Sequence, residues 1–80
     1  MMYPSLEGVE ALTVAAAIDI VALLHRYDGL LAVEDLTAVR EAYGVERVYQ
    51  ATRYLESRAT LRIYYCGQQE MLQLLPKVLV

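Results

Sequence analysis

The sequence predicts a mainly α domain with a small β-hairpin, an α+β architecture of three helices followed by two strands. Three observations lead there. Residues 13–43 carry two stretches of helical apolar spacing separated by an Asp28-Gly29 stop. A third stretch, Val45 to Ser57, starts directly after Gly44. From Leu61 the chain changes to strand-forming residues that turn at Cys66-Gly67-Gln68-Gln69 and run back through Met71 to Leu75.

In order along the chain, residues 1–12 are interrupted by Pro4 and Gly8. They read as an arm or a short strand, with Val9, Ala11 and Leu12 as its apolar positions. Residues 13–58 hold the three helices. The first spans Thr13 to Tyr27, with the Thr13 hydroxyl as its N-terminal cap. Ala15, Ala16, Ala17 and Ala22 are strong helix formers. Ile18, Val21 and Leu24 fall on one face, with Ile20, Leu23 and Tyr27 beside it. An arc this wide leaves no clearly solvated side. The helix is therefore expected to be covered twice, by its own domain and by a second copy. His25 and Arg26 complement the dipole in the last turn.

Leu30 to Val33 is a short apolar link. The second helix, Val33 to Tyr43, has Glu34 and Asp35 in its first turn, and Leu36, Val39 and Tyr43 mark its inner side. Two helices joined by a tight glycine turn form a helix-turn-helix unit. On a wheel of about 100° per residue, Val48, Ala51, Thr52 and Leu55 group inward, with Val45 close by. Glu46, Arg47, Gln50, Arg53, Tyr54 and Ser57 group outward. The hairpin occupies residues 60–75: Leu61, Ile63 and Tyr65 alternate with Arg62 and Tyr64, and Pro76 stops the return strand. Residues 76–80 form an apolar tail.

Eighty residues make one domain at most, and a chain this short buries only about 60–65% of its unfolded surface. Yet 58% of the residues are hydrophobic, against a usual share of about 45–50%. That excess fits either a tightly packed core or a buried dimer interface, and the homodimer is the favoured reading. The net charge of −3 conceals an asymmetry. Residues 40–62 hold Arg40, Arg47, Arg53, Arg58 and Arg62 against Glu41, Glu46 and Glu56, a local charge of +2. The remainder sets Arg26 and Lys77 against seven acids, a charge of −5.

Several classes of chemistry find no support. Cys66 is the sole cysteine, so an intrachain disulfide is impossible and a cytoplasmic, reducing compartment is expected. A free cysteine in a strand reads as a half-buried small hydrophobe. His25 is the sole histidine, and neither CxxC nor HxxxH spacing occurs, so no zinc site is expected. Ser5 and Ser57 lack a neighbouring base, and there is no glycine-rich phosphate loop. The chain is read as no enzyme and as needing no cofactor. No apolar run approaches the roughly 18 residues of a membrane span, and MMYPSLEGVE has no basic region of a signal peptide.

The order of three helices and a hairpin, with a glycine turn before the third helix, resembles the winged helix-turn-helix superfamily. The nearest likeness is to small prokaryotic regulators of the multiple-antibiotic-resistance and arsenic-repressor types. It is carried by VERVYQATRYLESRATLRIYY, where Tyr54-Leu55-Glu56-Ser57-Arg58-Ala59 closes the third helix and Leu61-Arg62 starts the wing. The likeness spans roughly residues 12 to 75. In such folds a small strand often occupies the position of Leu30 to Val33. The resemblance implies a transcriptional regulator whose third helix enters the major groove of double-stranded DNA. Arg47, Gln50 and Arg53 would then read bases, since arginine pairs with guanine and glutamine with adenine. Tyr49 and Tyr54 would touch phosphate or thymine methyl groups, and Arg58 and Arg62 would hold the backbone. The wing tip carries Gln68, Gln69 and Glu70 and no basic residue, which leaves most of the contact to helix three. The dimer interface is assigned to helix one with the arm or the tail. The rival reading is a winged-helix adaptor that binds protein, with Tyr64, Tyr65 and exposed Leu72, Leu74 and Leu75 as its docking surface.

Overall fold

A computed structural model of the chain describes residues 4–76, with side chains from residue 11 onward. The elements run α1 (Pro4–Arg26), β1 (Leu30–Ala32), a 3₁₀ turn (Val33–Asp35), α2 (Thr37–Tyr43), α3 (Val45–Ser57), β2 (Leu61–Cys66) and β3 (Gln69–Leu74). The molecule is an α+β fold of three mutually packed helices and one three-stranded antiparallel sheet, ordered β1-β3-β2, with α1 against β3 and α3 against β2.

The first helix corrects the sequence reading. Residues 4–12 are helical rather than an arm or strand. Pro4 occupies the first helical position, where its missing N–H has no intrahelical acceptor anyway and its fixed φ suits the helix. Gly8 weakens a helix by about 1 kcal/mol without ending it. Thr13 consequently lies mid-helix and buried, not at a cap. The inward stripe also differs from expectation. Ala16, Ala17, Ile20 and Leu24 are buried, whereas Ile18 is 62% and Tyr27 58% exposed. Residues 13, 17, 20 and 24 make the heptad seam that faces the core. The opposite side still carries exposed Leu12, Ile18 and Ala22.

Asp28 (φ 61°) and Gly29 (φ 84°) form the stop after α1. Both central residues have positive φ, and Leu30 N–H reaches Tyr27 C=O at 3.4 Å, the pattern of a type I′ turn. The Gly29 N–H also closes back on Leu24 C=O at 2.6 Å. The chain then enters β1, a third strand that the two-strand expectation lacked. It pairs with β3 in the register Leu30–Gln73, Leu31–Leu72 and Ala32–Met71.

The second helix is shorter than expected. Residues 33–35 form the 3₁₀ turn and α2 begins at Thr37. Arg40 turns back on this segment, donating from Nη1 to Val33 C=O (2.9 Å) and from Nη2 to Glu34 C=O (3.1 Å). One of the five clustered arginines is therefore a local clasp. Tyr43 closes α2 by donating its hydroxyl to Asp19 Oδ2 of α1 at 2.9 Å. That bond, with lesser help from desolvation and the Asp19 charge, raises the phenol above its ordinary pKa. This contribution to stability is intact at neutral pH and is lost only as pH rises through the raised value.

α3 ends in a Schellman pattern, with Thr60 N–H on Leu55 C=O and Ala59 N–H on Glu56 C=O, both 3.0 Å. Ala59 takes the left-handed position at φ 59° without being glycine. β2 and β3 pair from Leu61–Leu74 to Cys66–Gln69, so only Gly67 and Gln68 form the loop. Leu61, Ile63 and Leu72 turn to the helices. Leu72 is fully buried, against its expected place on a docking surface, while Leu74 and Leu75 are half-buried. The core is Ile20, Leu24, Leu31, Leu36, Val39, Val48, Ala51, Leu55, Leu61 and Leu72 with Ala16 and Ala17. Burying a Leu or Ile completely is worth about 1.5–3 kcal/mol. The tail after Pro76 lies outside the described residues.

Candidate nucleic-acid interface

α3 carries the candidate residues, and its amphipathic spacing decides where each points. Val48, Ala51, Thr52 and Leu55 are buried, as the wheel requires. Val45 departs from that set: at the first helical position it is 70% exposed. The middle of the outer face is formed by Glu46, Gln50, Arg53 and Ser57, spaced four, three and four residues apart. Tyr49, 57% exposed, flanks this stripe on the side of the hairpin.

Arg53 is the best-defined group on this face. Its guanidinium carbon lies 4.2 Å from the centroid of the Tyr49 ring. Its Nη1 donates to Glu70 Oε2 and to Thr52 Oγ1, each at 3.1 Å. Thr52 in turn donates to Tyr49 C=O at 2.8 Å. Partial burial opposes the arginine's charge, but the hydrogen bond to Glu70, with a smaller contribution from Tyr49, outweighs it and the pKa lies above its ordinary value. Glu70 belongs to β3 opposite Tyr65 of β2. The end of the hairpin thus reaches the outer face of α3, and Tyr65, 64% exposed, stands beside it.

The remaining candidates are not gathered there. Arg47, Tyr54 and Arg58 recur at i, i+7 and i+11 and form the other flank of α3. Arg47 is half-buried. Tyr54 and Arg58 line a shallow groove of about 300 Å³ against Val14, Ile18 and Val21 of α1. Arg58 stacks 5.4 Å from the centroid of the Tyr54 ring. Arg62 lies on the sheet face turned away from the core, bonded through Nε to Gln73 Oε1 at 2.6 Å and stacked 4.7 Å over Tyr64. Seven candidates therefore divide into three groups. Tyr49, Gln50 and Arg53 share the outer face, Arg47, Tyr54 and Arg58 share a flank, and Arg62 is across the sheet.

No local pattern marks Glu70 as a partner, because seventeen positions and a strand turn separate it from Arg53. Gln69 similarly bonds Glu34 of the 3₁₀ turn, which ties the hairpin to the segment before α2. Cys66 is exposed at the end of β2, not half-buried. His25 sits in the last turn of α1, at the position expected of it. Among the described residues, no three His, Cys, Asp or Glu side chains are grouped to hold a metal ion, and no helix is long and apolar enough to cross a membrane. No family model, curated protein or solved structure significantly matches the chain.

Proposed function

We propose that the chain is a winged helix-turn-helix protein that binds double-stranded DNA through α3, acting as a homodimeric transcriptional regulator. The order α1-β1-α2-α3-β2-β3, with β3 between the other two strands, supports the winged-helix assignment. The observation that carries the DNA reading is the outer face of α3. Tyr49 and Gln50 are exposed and Arg53 is half-buried on this face, directly after a one-residue turn from α2 and beside the hairpin. A helix offered in this way fits the major groove, and arginine and glutamine are the side chains that read guanine and adenine there. The exposed Leu12, Ile18 and Ala22 of α1 support a second copy packed on that helix.

The test is a mobility shift with random duplex DNA at low salt. Binding is expected, weakening steeply as salt rises. The double change Arg47→Ala and Arg53→Ala should abolish the shift while the far-ultraviolet circular dichroism and thermal melt stay those of a folded protein. Absence of a shift for the unaltered chain at low salt overturns the reading. Sedimentation at micromolar concentration is expected to return the mass of two chains, and a strictly monomeric species refutes the homodimer.

A second reading, a protein-docking module, draws on the same surface. Val45, Tyr49 and Tyr65 are all more than half exposed, and Tyr49 and Tyr65 stand beside the paired Arg53 and Glu70. Tyrosine and arginine are enriched at protein interfaces, and a neutralised ion pair suits a protein partner better than a polyanion. This reading stands if the low-salt shift is absent.

A further inference from the structure

The Arg53 site has a property that an ordinary surface arginine lacks. Its guanidinium is fixed before any ligand arrives. The Tyr49 ring supports its face, and Thr52 and Glu70 hold it in plane through one nitrogen. An arginine loose in solvent must surrender its rotamer freedom on binding, whereas this one has already done so. Both in-plane bonds use Nη1. The Nε–Nη2 edge takes part in neither, and it is the edge a two-oxygen or oxygen–nitrogen acceptor engages side by side.

Which acceptor fits is decided by charge. Arg53 and Glu70 form an ion pair at 3.1 Å, so together they carry no net charge. A phosphate approaching Arg53 meets the Glu70 carboxylate at the same time and is repelled by it. A neutral base edge is not. Guanine presents O6 and N7 at the spacing of the arginine fork, in the groove that the middle of a recognition helix faces.

We infer that Arg53 is a preset reader of guanine in the major groove and that Glu70, on the wing strand, is the positioning residue that confines it to that task. The inference rests on the duplex-binding reading above. It also divides the work of binding in an acidic chain: the neutralised pair recognises sequence, and the other basic residues of 40–62 supply the salt-dependent attraction to phosphate.

The experiment uses the full chain and a pool of duplexes with a randomised central segment. The selected duplex is then titrated beside a copy in which each enriched guanine–cytosine pair is replaced by adenine–thymine. The unaltered chain should enrich one guanine per half-site and discriminate there by about tenfold to a hundredfold, the range of one bidentate pair. Arg53→Lys keeps the charge but has no fork, and should lose that discrimination. Glu70→Gln should reduce it several-fold while making the salt dependence steeper, because the released arginine is then free to attract phosphate. A merely structural role for Glu70 would weaken all duplexes alike and leave the ratio unchanged. Equal discrimination by Glu70→Gln and the unaltered chain overturns the positioning role, and selection without an enriched guanine overturns the guanine assignment. Failure to retain any duplex at low salt overturns the DNA reading and this inference with it, a result distinct from the other two.

Discussion

Leu72→Ala is expected to remove about 2–5 kcal/mol of stability, the range for truncating a buried leucine to alanine. Few sites in the molecule can lose more. Leu72 is fully buried on β3, the central strand. It lies opposite Leu31 on one side and Ile63 on the other. Its side chain is therefore where both edge strands and the helices meet, and three converging elements cannot all move in to fill the space. The total stability of an 80-residue domain is about 4–12 kcal/mol. The variant should thus melt at least about 10 °C lower, and its urea midpoint should fall at an unchanged slope. A shift below about 1 kcal/mol would mean that the sheet is not the centre of the core.

Gly44→Ala is expected to cost about 1–3 kcal/mol, through the backbone alone. Gly44 has φ 91° and ψ 153°, a region that only glycine occupies readily. A Cβ added there meets no atom within 4 Å, so there is no clash to add to the conformational strain. The same residue serves two helices. Its N–H closes α2 on Arg40 C=O at 2.7 Å, and its C=O accepts the first bond of α3 from Val48 N–H at 3.1 Å. Relief of the strain must loosen one of these ends and change the angle at which α3 leaves α2. Duplex binding by this variant should therefore fall further than its loss of folded fraction, measured at a temperature where the thermal melt shows it folded. Equal losses in both would detach the turn from the binding role.

Much of this layout is legible in the sequence where a pattern is local. The glycine turn, the inner set Val48, Ala51, Thr52 and Leu55 and the Asp28-Gly29 stop all follow from short-range chemistry, and the structure has them. The start of α1 was hidden because Pro4 and Gly8 break helices in the interior, and only position tells that Pro4 is not interior. The choice between Ile18 and Ile20 was hidden because α1 is apolar around most of its circumference, so periodicity cannot select the buried stripe. β1 is three residues long, too short for alternation to register. At the candidate site, the wheel placed Gln50 and Arg53 outward, as found. It could not show that Arg53 meets a strand seventeen residues later, or that Arg62 would fall across the sheet, since both depend on how the hairpin docks.

The position of β3 has a kinetic consequence. This strand comes last among the described elements yet lies between the other two, with Leu30 paired to Gln73 and Leu61 to Leu74. Beyond the ladder, Leu74 N–H reaches Gly29 C=O at 2.7 Å and Leu75 N–H reaches Thr60 C=O at 2.9 Å. The helices can coil early from local contacts, but nothing joins β1 to β2 until β3 inserts. Insertion must close a loop spanning all of α2, α3 and β2, and the entropy of that closure precedes any gain from the contacts it makes. Folding should therefore be limited by strand insertion rather than by helix formation.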